Sequence, residues 1–600
     1  METNSTDLSV RSESVQSLYS RYLADRFGVN RRYQRKLVWS VEEKQSLIDS
    51  MLQNLPVPLF LVAEIGIGAE ASFEVIDGMQ RLNSIFAFIE NEFAVDGTFF
   101  DLDALADTKS RKDRGDLVQH TPIMSRDESV RLSNYTVALS IFRATSESSV
   151  DEVFRRINSG GRRLSFQELR QAGTLSPLAD LVRVISSRVR GDTSPTDVVP
   201  LRVMPQLSIT SRDLSYGVQV DEIFWVRHGI LRREDVRTSL DEQLVLDILI
   251  DCVIDPIPTI GKDVRDDFYD FTAAMLNDSS SMQITAAIDA YGREELERDF
   301  MRVYDVVRIL LDTSDQARFA TLIGVKSGGR SPRYFHGVFI AIFELMFRER
   351  MRAKDDRDVA TRLVNISKTA LNIPGGSGNW TSESKRSAID AVKGVLRSAF
   401  EEGGGDEDFA RYGWASELET ILGNALVEQQ AFECKQGLLR LDERRSVDEA
   451  LLSRLGETLT AIANIGRGAT GYLLLGVADK RADATRIQAL DGVESARYRD
   501  FYIPGLDREA RLRASDLGGY WKWLLQKLRD NPDMHPELAS QVASAARLAN
   551  YKGRSVGVLK VRALKEPVFY GGRLYERSGS ETLEVPPGSG YSRIFGQFVG

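Results

Sequence analysis

Residues 73–88 read FEVIDGMQRLNSIFAF, and the fold of the N-terminal part turns on them. Phe73–Ile76 has the character of a short strand, Asp77-Gly78 is a turn signal, and residues 79–90 return to helical period. A strand that turns straight into a helix leaves free backbone N–H groups at the helix start, and phosphate is the common ligand of such a place. Arg81, in the first helical turn, has the geometry to clamp phosphate oxygens bidentately. Asp77, at the strand end, can hold a metal ion or orient a water. The competing reading is local: Asp77 caps the helix and Arg81 pairs with it.

Outward from this stretch the elements alternate. Ser40-Val41-Glu42-Glu43 fits a capping box, and Leu47, Ile48, Met51, Leu52 and Leu55 follow at helical spacing until Pro56 and Pro58. Residues 59–62 and 135–143 read as further strands, and 148–157 as a helix ending at Asn158-Ser159-Gly160-Gly161. Arg155, Arg156, Arg162 and Arg163 flank that Gly-Gly turn, either as a local anion site or as a solvated turn. Ser165-Phe166-Gln167-Glu168 opens the next helix as a second capping box. The first part is therefore α/β or α+β. From about 175 to 400 the periodicity is mostly helical.

Composition sets outer limits. Six hundred residues make roughly three to five domains' worth of chain. With 42% hydrophobic and 28% charged residues, a mainly disordered chain, a collagen and a coiled coil are excluded. No window approaches the roughly 18 apolar residues of a membrane helix, and the polar N-terminus has no secretory h-region, so a cytoplasmic protein without membrane contact is expected. Cys252 and Cys434 are too few for a disulfide framework or a four-cysteine zinc site. The net charge is 78 − 87 = −9, so any nucleic acid must be met by local patches.

The expected division is a poorly ordered stretch 1–20, an α/β domain 21–175, a helical domain 176–400, a linker 401–410 with its Gly-rich EEGGGDED core, and a C-terminal α+β domain 411–600. In the last, 431–435, 471–478, 555–561 and 568–570 read as strands, and Ser446-Val447-Asp448-Glu449 starts a helix to about 463. Period-2 alternation puts Glu433 and Lys435 on one face and Phe432 and Cys434 on the core side. Glu428 lies five residues before Glu433, and Asp479 ends the all-apolar strand. Such acids can converge on a divalent cation that activates water in phosphodiester cleavage. The bland alternative is that Glu433 pairs with Lys435 and Asp479 is a turn residue.

Two resemblances sharpen these readings. Tyr33-Gln34-Arg35 with Trp39, then FEVIDGMQR, then VFRRINSGGRRLSFQELRQA resemble, in order and spacing, the D-G-Q-Q-R family, whose best-known member is the GmrS-like part of type IV restriction enzymes. The resemblance implies a ParB-like nucleotide-binding fold and hydrolysis of a nucleoside triphosphate, with Mg²⁺ or Mn²⁺, in defence against phage DNA. It carries over to Gln34, Arg35, Asp77, Gly78, Gln80, Arg81, Asn158 and Gly161, with Met79 where the family has its first glutamine. Residues 213–237 look like the helical continuation of long members. None of His120, His228, His336 and His535 stands in an H-N-H nuclease setting.

EQQAFECK (428–435), AIANIGRGATGYLLLGVAD (461–479) and YERSGSET (575–582) look like the Schlafen-type AlbA-like domain, with the usual Gly-Gly pair stretched over Gly466–Gly471. That resemblance implies metal-holding or catalytic roles for Glu428, Glu433 and Asp479, and nucleic-acid contacts for Lys435, Asn464 and Arg577. Some members of that family bind DNA as regulators and others cut transfer RNA. The combined expectation is an anti-phage protein that hydrolyses a nucleoside triphosphate and binds, or also cleaves, DNA or RNA, as a homo-oligomer or with other defence subunits. The alternative is a non-cleaving DNA-binding regulator switched by nucleotide.

Overall fold

A computed structural model describes residues 8–32, 36–37, 39–65, 72–143, 150, 153, 165–173, 176–210, 217–269, 279–314, 318–325, 331–371, 373, 379–403, 412–513 and 516–599. The chain divides into two compact units, residues 1–409 and 410–600.

The N-terminal unit is built on a six-stranded mixed sheet in the order β1-β5-β3-β4-β2-β6. These strands are β1 (Leu8–Ser14), β2 (Phe27–Asn30), β3 (Phe60–Ile65), β4 (Ser72–Asp77), β5 (Thr136–Arg143) and β6 (Val198–Pro200). The helices α1 (Val15–Leu23), α2 (Val41–Leu52) and α3 (Met79–Ile89) alternate with the first strands. The capping box at the start of α2 forms between Ser40 and Glu43 as the sequence predicts. The aromatic rings of Tyr19, Tyr22, Phe27, Phe73 and Phe86 stack or tilt against one another between helices and sheet. Leu61, Ala63, Ile76 and Phe142 form a second buried cluster with Val150.

Three expected boundaries shift here. The stretch 1–20 is not a loose end throughout: β1 pairs with β5 over its whole length, and Val15, Leu18 and Tyr19 of α1 are fully buried. Its polar composition reflects an edge strand with one exposed side. Nor does the α/β part stop at 175. β6 pairs with β2 and closes the sheet. Arg31 bonds Asp192, while Arg190 from α4 (Pro177–Arg190) reaches Asp192, Asp241 and Glu242 at the start of α5 (Leu240–Val253). These side chains are almost wholly buried, so a buried ion network joins the α/β and helical parts of this unit. The expected linker also begins late, because Glu401 and Glu402 belong to a strand paired with Met351–Ala353.

The C-terminal unit has a four-stranded sheet in the order β7 (Phe432–Lys435), β8 (Thr470–Leu475), β10 (Arg554–Arg562), β9 (Arg547–Tyr551). β8 runs parallel to β7 and antiparallel to β10. It is central and buried on both faces, as its apolar run predicts: Leu473 and Leu475 join one core and Leu474 the other. The second core is covered by α6 (Trp414–Ala425), and the first contains Leu455, Leu459 and Ile462 of α7 (Glu449–Ala463). β8 is shorter than expected because Gly476 takes a φ of +90°, and a Cβ there would stand 3.1 Å from the Ser555 carbonyl oxygen. Among the described residues no helix is long and apolar enough to cross a membrane.

Candidate functional site

In the N-terminal unit the site grows from the junction of β4 and α3. Gly78 is the residue before the helix, with a φ of +103°, and a Cβ there would lie 2.5 Å from the Phe60 ring. Only glycine meets both demands without strain. Gly78 has no side chain with which to cap α3. Asp77 does not serve as the cap. Its carboxylate accepts a 2.9 Å bond from Arg81 Nη2 and stays half-exposed.

Arg81 is committed more deeply than a phosphate clamp requires. Its Nη1 donates to the Pro58 and Leu59 carbonyls, and its guanidinium lies 4.8 Å from the Phe60 ring centroid. The local alternative, pairing with Asp77, is therefore the arrangement present. Gln80 spends its amide on another segment: Nε2 donates to the Lys36 carbonyl at 2.7 Å and Oε1 accepts from the Trp39 N–H at 3.4 Å. Residues 36 and 39 follow the Tyr33–Arg35 phrase, so the Asp77–Arg81 turn meets the segment just after it. Gln34, Arg35, Asn158 and Gly161, with Arg155, Arg156, Arg162 and Arg163, lie outside the described residues.

The sequence reading passed over two residues beside this site. Lys36 is buried and donates to the Val236 carbonyl and the Ser239 hydroxyl, anchoring the motif segment to the helical part. Asn83, on α3, is buried with no partner for its Oδ1. An amide inside the apolar run LNSIFAF was the available signal.

In the C-terminal unit the alternation in β7 is as expected, and Lys435 Nζ bonds Glu433. Glu433 also accepts from Arg577 Nη2 at 2.9 Å. Arg577 is buried, and its remaining donors go to the Gln430, Gln429 and Phe432 carbonyls and to the Thr582 hydroxyl. It is a clasp that holds the start of β7 to the hairpin carrying YERSGSET, not a cation offered to a nucleic acid. Asn464 is likewise consumed. Its amide bonds Val568 through both carbonyl and N–H, and the Tyr575 carbonyl as well, with 1% of the residue exposed. The expected nucleic-acid contacts of Asn464 and Arg577 are thus corrected to scaffold roles, because a buried polar group must be satisfied inside.

The three acids do not converge. Asp479 is exposed just beyond β8, whose following N–H groups at Gly476 and Val477 bond the Lys435 carbonyl. Glu433 and Asp479 both raise the Cys434 thiol above its ordinary value, though burial does so most. Both therefore lie near that thiol. Glu428 precedes β7, one residue before the Gln429 carbonyl that shares Arg577 Nη2 with Glu433. Burial alone holds its carboxyl above the ordinary glutamate value. Among the described residues no three His, Cys, Asp or Glu side chains group as metal ligands would. The metal centre expected from Glu428, Glu433 and Asp479 does not fit this arrangement.

The first unit is thus a mixed-sheet α/β module with a charged strand-to-helix turn at its rim. Residues 15–175 match the family described as GmrSD restriction endonuclease, N-terminal domain. β6, outside that span, completes the sheet. No curated protein matches the chain.

Proposed function

We propose that this is a restriction-type phage-defence protein whose N-terminal module binds and hydrolyses a nucleoside triphosphate and whose C-terminal unit binds nucleic acid. The observation that carries the reading is the junction at Asp77-Gly78: a helix start led by a glycine beside a half-exposed carboxylate, in a segment similar to the restriction endonuclease family. Helix N–H groups suit the phosphates. Asp77 has one carboxylate oxygen bonded to Arg81, and the other suits a Mg²⁺ ion arriving with the triphosphate or a water to be oriented. Arg81 then serves first as the residue that aims Asp77. Gln80 couples the same turn to the segment around Lys36 and Trp39.

For the C-terminal unit the non-cleaving reading is favoured. Glu433 is neutralised by Lys435 and Arg577, and among the described residues the three acids do not group as metal ligands would. Lys435 keeps a place on the open edge strand of the sheet.

The test is to measure binding and turnover of each triphosphate with and without Mg²⁺, and cleavage of DNA and transfer RNA panels with Mg²⁺ and Mn²⁺. Triphosphate binding that is lost in a folded Asp77→Ala variant supports the reading. Unchanged binding and turnover in that variant overturns the N-terminal assignment. Cleavage abolished by Glu433→Ala overturns the non-cleaving assignment.

A further inference from the structure

The C-terminal sheet carries a cluster of cations that no sequence motif singled out. Lys560 and Arg562 stand two apart on β10, hence on one face and about 7 Å from each other. In the sheet register Lys560 is opposite Tyr472, and Arg562 is opposite Thr470, the exposed first residue of β8. Arg547, on the neighbouring β9, lies 4.1 Å from the Trp414 ring centroid and pairs with Glu417 of α6. The Lys560 ammonium is 5.8 Å from the Tyr472 ring centroid, and that ring stacks on Phe432 behind it.

Long cations often lie over aromatic rings simply to cover them. Two features exceed that role. Neither Lys560 nor Arg562 forms an ion pair among the described residues, in a chain where acids outnumber bases 87 to 78. The three cations also face one another: burial lowers the Lys560 pKa most, and Arg562 and Arg547 lower it further against the one nearby acid, Glu417. Three cations around Glu417 are held at a cost, and an anion placed among them relieves it. A rim of this kind beside the exposed Gly466–Gly468 turn, which leads into β8, is open to an extended polyanion.

We infer that Lys560 and Arg562, with Arg547 beside them, form a phosphate-contacting surface for a nucleic-acid strand. The inference rests on the reading of the C-terminal unit as a nucleic-acid binder and gives that reading a place. It lies on the sheet face opposite Glu433 and Lys435, since Lys560 shares its face with Tyr472 and Phe432. The contact is to backbone rather than to bases, because both faces of the Tyr472 ring are already covered.

The full chain is tested with fluorescently labelled DNA and RNA oligonucleotides at several salt concentrations. The Lys560→Glu/Arg562→Glu variant is compared with Lys522→Glu/Lys527→Glu, an equal charge change on exposed lysines elsewhere in the unit. The expected result is at least about tenfold weaker binding and a salt slope smaller by about two for the first variant only. Lys560→Gln/Arg562→Gln should lie between it and the unaltered protein, and unchanged melting curves certify both folds. Equal loss in both charge-reversal variants overturns the inference in favour of bulk charge. Unaltered affinity and slope in the first variant overturns it while leaving the nucleic-acid reading standing. Failure of the unaltered protein to bind either oligonucleotide overturns both. Displacement of the oligonucleotide by polyglutamate at matched charge overturns it in favour of an acidic protein segment.

Discussion

Arg81 and Arg577 each belong to a motif and each bonds a motif carboxylate, yet they occupy different physical settings. Asp77, the partner of Arg81, is half-exposed, and the pair spans one turn of a helix start. The Arg577 side chain is 1% exposed, bonds three backbone carbonyls and reaches across the unit to Glu433. In the first pair the carboxylate is open to a ligand while Arg81 stays held by the Pro58 and Leu59 carbonyls. The second cannot open without breaking bonds to three carbonyls and to the Thr582 hydroxyl inside the unit. An arginine in a motif therefore marks a constraint, and burial decides whether the constraint belongs to ligand or to fold.

The sharpest test of this contrast is removal of the buried member. Arg577→Ala should destabilise the C-terminal unit by about 3–5 kcal/mol, with loss of hydrogen-exchange protection in 428–435 and 573–584. A stable, fully protected variant would place Arg577 in the same class as Arg81.

The two units should also respond to acid in opposite senses. His228 is lowered to about 4, by burial first and then by Arg227, Arg308 and Arg318. A base with a depressed folded value contributes stability that is present above its ordinary value of 6.5 and is lost as pH falls toward about 4. His228→Phe, which keeps an aromatic neighbour for Phe224, should remove up to about 3 kcal/mol of that acid loss. Chemical denaturation of the N-terminal unit across this range checks it. An unchanged pH profile would show that other groups control the acid response.

Arg81→Ala should cost the fold about 1–2 kcal/mol through its lost carbonyl bonds, yet lower triphosphate turnover at least about tenfold, because Asp77 loses its aim. Loss of folding instead of turnover would erase the contrast with Arg577. The smallest effect is expected at Glu428. Burial raises its carboxyl, so its charged form is disfavoured in the fold, and stability falls as pH rises from the ordinary glutamate value through the elevated one. Glu428→Gln should raise the melting temperature of the C-terminal unit slightly at neutral pH and leave it unchanged in acid. A melting temperature lowered at neutral pH would mean that the charged carboxylate has a stabilising partner.

Local features were legible from the chain alone. The Ser40–Glu43 and Ser165–Glu168 capping boxes, the Asp77-Gly78 turn, the pairing of Glu433 with Lys435 and the central position of β8 all depend on residues a few positions apart or on one unbroken apolar run. Those spacings determine backbone geometry directly, whatever the rest of the molecule does. Tertiary structure alone decided which polar residues remain available. Arg577 and Asn464 read as ligand-facing in a motif, but long-range burial turned them inward, where each had to be satisfied by distant carbonyls. β1 and β6 were invisible for a related reason: an edge strand carries little apolar signal, and only its partner makes it a strand. The cations at 547, 560 and 562 belong to neighbouring strands, and sheet register, not sequence spacing, brought all three together.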